Sequence, residues 1–142
     1  MGQADTTRFS DVRFPQSGGC QCGAVRYELS APPLGIWACH CSLCRKQSGS
    51  AFGLSMGVAI ESLAFTQGTP AIWTRNTDSG HRLDCLFCAD CGSRLVHRRH
   101  RHEGMQTLKP GTLDDTSWVV PGRHFFAETA RDWVRPLIQR TD

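Results

Sequence analysis

Cys39-His40-Cys41-Ser42-Leu43-Cys44 carries three thiols in six residues. Two further clusters flank it, Cys20-Gln21-Cys22 and Cys85-Leu86-Phe87-Cys88-Ala89-Asp90-Cys91, and together they hold all eight cysteines. Thiolates this close in sequence can reach one soft ion, and a structural zinc takes four such ligands in a tetrahedron. Cys20, Cys22, Cys88 and Cys91 would make one closed set. Cys39, Cys41 and Cys44 would make a second site that is one ligand short. An open position is what separates a catalytic zinc from a structural one.

Disulfides suit these clusters poorly, because cysteines separated by one residue seldom meet the required Cα spacing and side-chain direction. The opening residues, Met1-Gly2-Gln3-Ala4-Asp5-Thr6-Thr7-Arg8, contain no apolar core of the signal-peptide kind. A reducing, cytoplasmic setting is therefore expected, which also favours metal over disulfide.

A length of 142 residues suggests one domain. The formal charge of +3 is mild and implies no polyanion partner. No apolar run approaches the roughly 20 residues of a membrane span, so no membrane partner is expected. Arg94, His97, Arg98, Arg99, His100, Arg101 and His102 form the one basic cluster. No aromatic residue interleaves it, so a solvated hairpin tip is expected rather than a nucleic-acid site. Oligomeric state leaves no mark in the sequence.

The apolar pattern is mostly period two, which reads as half-buried strands. Val25-Tyr27-Leu29, Phe52-Leu54-Met56-Val58 and Leu83-Cys85-Phe87 each alternate with other residues. Ala71–Thr74, Arg94–His97 and His124–Phe126 look like further short strands. Glu61–Phe65 and Ala127–Val134 could form helical turns. The fold class expected is mainly β, a single zinc-stapled domain with one or two short helical turns. Polar residues 1–13 are expected to fray, and 138–142 to form a tail.

Spacing alone leaves the ligand pairing open. Cys41-x-x-Cys44 could join Cys88-x-x-Cys91 as a zinc ribbon, but the 43 intervening residues exceed the roughly 15–20 of that signature. Cys85 could instead complete the middle cluster. Its strand phase with Leu83 and Phe87 favours an ordinary buried thiol.

Three stretches resemble the signatures of glutathione-dependent formaldehyde-activating enzymes and their centromere protein V relatives. They are Gly18-Gly19-Cys20-Gln21-Cys22-Gly23-Ala24-Val25-Arg26-Tyr27-Glu28, Cys39-His40-Cys41-Ser42-Leu43-Cys44-Arg45-Lys46-Gln47-Ser48-Gly49-Ser50 and Phe87-Cys88-Ala89-Asp90-Cys91-Gly92-Ser93. Gly111-Thr112-Leu113-Asp114-Asp115 and His124-Phe125-Phe126, with Trp133 behind, are similar to weaker landmarks. The likeness spans roughly 14–137 and implies a β-tent-like domain. It implies a structural zinc on Cys20, Cys22, Cys88 and Cys91, and a catalytic zinc on Cys39, Cys41 and Cys44. It also implies a carbon–sulfur lyase acting on S-hydroxymethylglutathione. Cys85 and the basic run 97–102 depart from the family pattern.

Three thiolates on a divalent ion leave a net negative centre, suited to holding another thiol rather than polarising a carbonyl. A small thiol such as glutathione, or its adduct, is the expected partner. Arg45 and Lys46 follow the open site and could hold a substrate carboxylate. His40, His81 and His124 are candidate acid–base groups, each equally readable as structural. Trp37, Trp73, Trp118 and Trp133 are expected in the core, with Trp37 a possible pocket wall. The alternative function is a non-catalytic, zinc-stabilised binding or scaffold module.

Overall fold

The computed structural model describes residues 6–77, 79–101 and 104–141. Ten strands form: β1 (Gln16–Gly19), β2 (Arg26–Leu29), β3 (Gly35–Cys39), β4 (Gly53–Ala59), β5 (Leu63–Gln67), β6 (Ala71–Asn76), β7 (Arg82–Phe87), β8 (Arg94–Arg99), β9 (Met105–Leu108) and β10 (Arg123–Phe125). Two short helices are α1 (Ser42–Ser48) and α2 (Arg135–Thr141). The fold is mainly β, as the alternating pattern predicts. No helix among the described residues is long and apolar enough to cross a membrane.

One sheet has the order β1-β2-β5, the other β10-β3-β4-β9-β8-β7-β6. In the larger sheet Ile36 pairs with Met56, Met56 with Leu108, Leu108 with Val96, and Val96 with Leu86. Directly paired residues share a face, so these five make one apolar row. All are buried, and they join Tyr27, Leu29 and Leu63 of the smaller sheet in a single core. Each such side chain contributes roughly 1.5–3 kcal/mol on burial. The opposite face of the large sheet carries a different row. Gly57 pairs with Thr107, Thr107 with His97, His97 with Cys85, and Cys85 with Trp73.

Several expectations need correction. The turn expected over Glu61–Phe65 is a 3-10 turn at Ile60–Ser62, and Leu63 begins β5 because its side chain packs into the core. The stretch Ala127–Val134 is broken into two 3-10 turns, Ala127–Thr129 and Asp132–Val134. The helix starts only at Arg135 and runs through residues expected to be a tail. At the other end, residues 6–13 are not loose. Phe9 is buried and meets Trp118 edge-on at 5.6 Å, and Val12 donates its N–H to the Phe9 carbonyl. Residues 1–5 lie outside the described residues. Trp73 and Trp133 are exposed rather than in the core. Trp73 sits on β6, the edge strand, which has no strand beyond it among the described residues.

The first thiol cluster is braced by a close approach. Tyr27 is buried, and its hydroxyl lies 2.7 Å from Thr112 Oγ1. A Cβ on Gly18 would collide with that phenol and lie 2.6 Å from the Thr112 carbonyl oxygen. Backbone is among the atoms in the way, so relief needs a shift of β1. Gly18→Ala is expected to cost about 1–3 kcal/mol, the range for overpacking. Chemical denaturation read by tryptophan fluorescence measures it, and an unchanged midpoint would show that β1 yields freely.

Candidate metal centres

The first centre joins two backbone knuckles. After β1, Cys20 accepts the Gly23 N–H at its carbonyl (3.1 Å), and the Val25 N–H points at Cys20 Sγ (3.2 Å). After β7, Cys88 accepts the Gly92 N–H (2.8 Å) and donates its own N–H to the Ser93 carbonyl (3.0 Å). Ser93 Oγ ties the knuckles together by accepting the Gln21 N–H at 3.0 Å. The result brings Cys20, Cys22, Cys88 and Cys91 together with all four Sγ atoms within 4.8 Å of one another.

The spacing suits a metal. Cys20 and Cys22 Sγ are 3.6 Å apart, and Cys22 and Cys88 Sγ are 3.7 Å apart. A tetrahedron with zinc–sulfur bonds of about 2.3 Å has edges of roughly 3.8 Å. A disulfide needs about 2.05 Å, and all eight cysteines are free. Charge argues the same way. The Ser93 hydroxyl and N–H draw Cys91 down to about 5. The Ala24 N–H favours the Cys22 thiolate, yet the Cys20 thiol and burial push Cys22 up to about 12. Crowded thiols resist ionising together, and a divalent cation removes that resistance.

The second centre sits where β3 runs into α1. Cys39 is the last residue of β3, Cys41 caps the helix and Cys44 lies in its first turn. Cys41 Sγ accepts the Cys44 N–H at 3.4 Å, as a serine or aspartate cap would. Gly49 ends the helix in the left-handed conformation. The three Sγ atoms lie within 4.8 Å of one another, with Cys39 and Cys41 3.4 Å apart. Burial opposes the Cys41 thiolate, but the Cys44 N–H together with the Cys39 and Cys44 thiols and the Leu43 N–H outweighs it and draws this thiol below its ordinary range. Burial and then the two neighbouring thiols push Cys44 up to about 12. No fourth histidine, cysteine or carboxylate among the described residues joins the three. Cys85, the candidate fourth ligand, is fully buried and in neither group.

The peptide between Cys39 and Cys41 is held from two sides. The His40 carbonyl accepts Arg45 Nη1 at 2.7 Å and Thr129 Oγ1 at 2.9 Å. Arg45, expected to fork onto substrate, therefore spends one N–H on the ligand turn, while Lys46 is exposed. His40 is fully buried, with Nε2 3.0 Å from His124 Nδ1 and its ring 5.4 Å from Phe52. Burial, then His124, lowers its pKa, so it is neutral at physiological pH. His81 lies in the β6–β7 turn, where its carbonyl accepts the Thr77 N–H. Trp37 shares a face with Cys39 two residues on, half-buried and edge-on to Phe125 at 6.2 Å.

Two groups beside this centre carry no sequence signal. Thr129 comes from a distant turn. Lys109, one residue past β9, is half-buried and donates Nζ to Ser55 Oγ at 3.0 Å. The basic run does not form one patch. Arg98 binds Gln106 Oε1 (2.7 Å), His100 meets Asp84 Oδ1 (2.8 Å), and His97 Nε2 lies 3.1 Å from Arg94 Nη1. His102 is outside the described residues.

Comparison with known proteins shows the family. The chain is 30% identical over 125 residues to a Halomonas elongata protein named "Putative glutathione-dependent formaldehyde-activating enzyme", covering 82% of this chain and 78% of that one. A crystal structure of a Rhodobacter sphaeroides protein is similar in fold, with a TM-score of 0.55 and 22% identity. That match covers 69% of this chain and 87% of that one. The family model described as glutathione-dependent formaldehyde-activating enzyme matches residues 15–129. The chain belongs to the glutathione-dependent formaldehyde-activating enzyme family.

Proposed function

We propose that this protein is a carbon–sulfur lyase that makes and breaks the adduct of a small thiol with formaldehyde, S-hydroxymethylglutathione being the adduct its family name points to. One observation carries the reading. Cys39, Cys41 and Cys44 converge, and no fourth protein donor among the described residues joins them. A zinc ion held by these three thiolates would offer a position to an incoming thiol and lower its pKa. Cys20, Cys22, Cys88 and Cys91 take the structural role, binding the β1 and β7 knuckles.

The residues around the open site keep it in shape. The Cys44 N–H stabilises the Cys41 thiolate. Arg45 and Thr129 clamp the His40 carbonyl, which holds Cys39 and Cys41 in their relative orientation. The His40 ring is committed to His124 and Phe52, which favours positioning over proton transfer to substrate. In the forward direction the thiolate sulfur attacks the aldehyde carbon and a C–S bond forms. The carbonyl electron pair moves to oxygen, which takes a proton from water. In reverse the hydroxyl loses its proton, the C–S bond breaks, and its electron pair leaves on sulfur. Reduced cysteines and a thiol partner suit a reducing compartment such as the cytoplasm.

Magnetisation-transfer NMR with labelled formaldehyde and glutathione tests this. Zinc-loaded protein at micromolar concentration is expected to raise the exchange rate between free aldehyde and adduct. Exchange at the uncatalysed rate, with no thiol bound, would leave only the stapled scaffold.

A further inference from the structure

The face of the large sheet opposite the core holds positive charge that no ion pair among the described residues balances. Along it run Thr107, His97, Cys85 and Trp73, paired strand to strand. Lys109 continues the Thr107 side of β9, and its Nζ reaches across to Ser55 on β4. The Arg94 guanidinium sits beside His97 Nε2 and 5.9 Å from the ring centre of exposed Trp73. Arg75 lies two residues beyond Trp73 on β6, so it shares that face. His97 registers the result. Burial, then Lys109, Arg94 and Arg75, push it down to about 3, so it is neutral. The ion pairs among the described residues are Arg26–Asp114, His100–Asp84 and Arg135–Asp132, and none involves Lys109, Arg94 or Arg75. Half-buried cations without a counter-ion are costly, and a bound anion relieves that cost.

The same face leads to the open thiol site. Ser55, which holds Lys109, stands two residues along β4 from Gly53. Gly53 pairs with Cys39, and a Cβ built on it would lie 3.2 Å from Cys44 Cβ. Two strand residues span roughly 7 Å, about the reach from a thiol to a carboxylate one or two residues away in a peptide. Burial lowers the Lys109 pKa, while the Cys44 and Cys39 thiolates act to raise it.

We propose that Lys109, backed by Arg94, binds a carboxylate of the thiol that enters the open site, so that the protein selects anionic thiols over neutral ones. This rests on the thiol-binding reading above and adds which thiols are taken and what recognises them.

The test is calorimetric titration of the zinc-loaded protein with glutathione and with its diethyl ester, in which both carboxylates are masked. Comparing the two ligands across variants cancels the bulk of the ester. Lys109→Met should weaken glutathione by about tenfold, as loss of a charge-assisted bond does, and the ester by less than about twofold. Lys109→Arg should keep most of the affinity. Arg94→Gln should act in the same direction as Lys109→Met, and it provides the answer if Lys109→Met misfolds. If the substitutions weaken both ligands equally, or neither, the carboxylate site is wrong while thiol binding stands. If wild-type protein binds neither ligand, thiol binding fails and this inference goes with it.

Discussion

Cys88→Ser is expected to leave the chain unfolded at neutral pH even with zinc in excess. Cys88 is 1% exposed and belongs to the core as well as to the four-thiol set. A structural zinc contributes about 10–16 kcal/mol of apparent binding free energy at neutral pH. A whole domain is stable by only about 5–15 kcal/mol. Losing a modest part of the first is enough to cancel the second. The serine also leaves a hydroxyl facing three crowded thiols, in a pocket shaped for sulfur. Near-UV circular dichroism and metal analysis measure the outcome. Chelation of the wild-type protein is expected to give the same loss of near-UV signal in one cooperative step. A Cys88→Ser protein with wild-type melting and full near-UV signal would show that the four thiols do not staple the fold.

Cys44→Ser is expected to do the opposite, removing function while sparing the fold. Cys44 is half-buried on the first turn of α1, and that helix buries none of its residues. Its loss therefore removes little packing, on the order of 1 kcal/mol, or a fall of about 2–8 °C in melting temperature. One equivalent of metal should be lost. Exchange between formaldehyde and its glutathione adduct should slow by at least about 100-fold, beyond the range for a mere outer partner of a metal ligand. If Cys44→Ser and Cys88→Ser prove equally destructive, the two centres do not have separate roles. If Cys44→Ser retains full exchange activity, the site at the end of β3 is not where the chemistry happens.

Much of this arrangement is legible in the chain. Alternation of Tyr27 and Leu29, or of Met56 and Val58, marks strands because a strand turns successive side chains to opposite faces. What escaped the pattern has physical reasons. α1 buries nothing, so no apolar periodicity announces it. Its helix formers are hidden between cysteines and the Ser48-Gly49-Ser50 turn. β9 is four residues long, and it buries the polar Gln106 beside Leu108 while apolar Met105 takes the other face, so alternation is lost. Phe9 looked like one apolar residue in a polar tail. It is anchored by Trp118, more than a hundred positions away, and a local reading has no access to such a contact.

The grouping of cysteines into a set of four and a set of three follows from residue type and order. Few soft donors lie close together in the chain, and their knuckles are built from local turns. Which charges surround the open set does not follow. Lys109 reaches Ser55, and Arg94 reaches Trp73, only because the order β3-β4-β9-β8-β7-β6 lays distant segments side by side. Short-range chemistry is written in neighbouring residues. Electrostatic environment is a property of strand register, and register exists only once the sheet has formed.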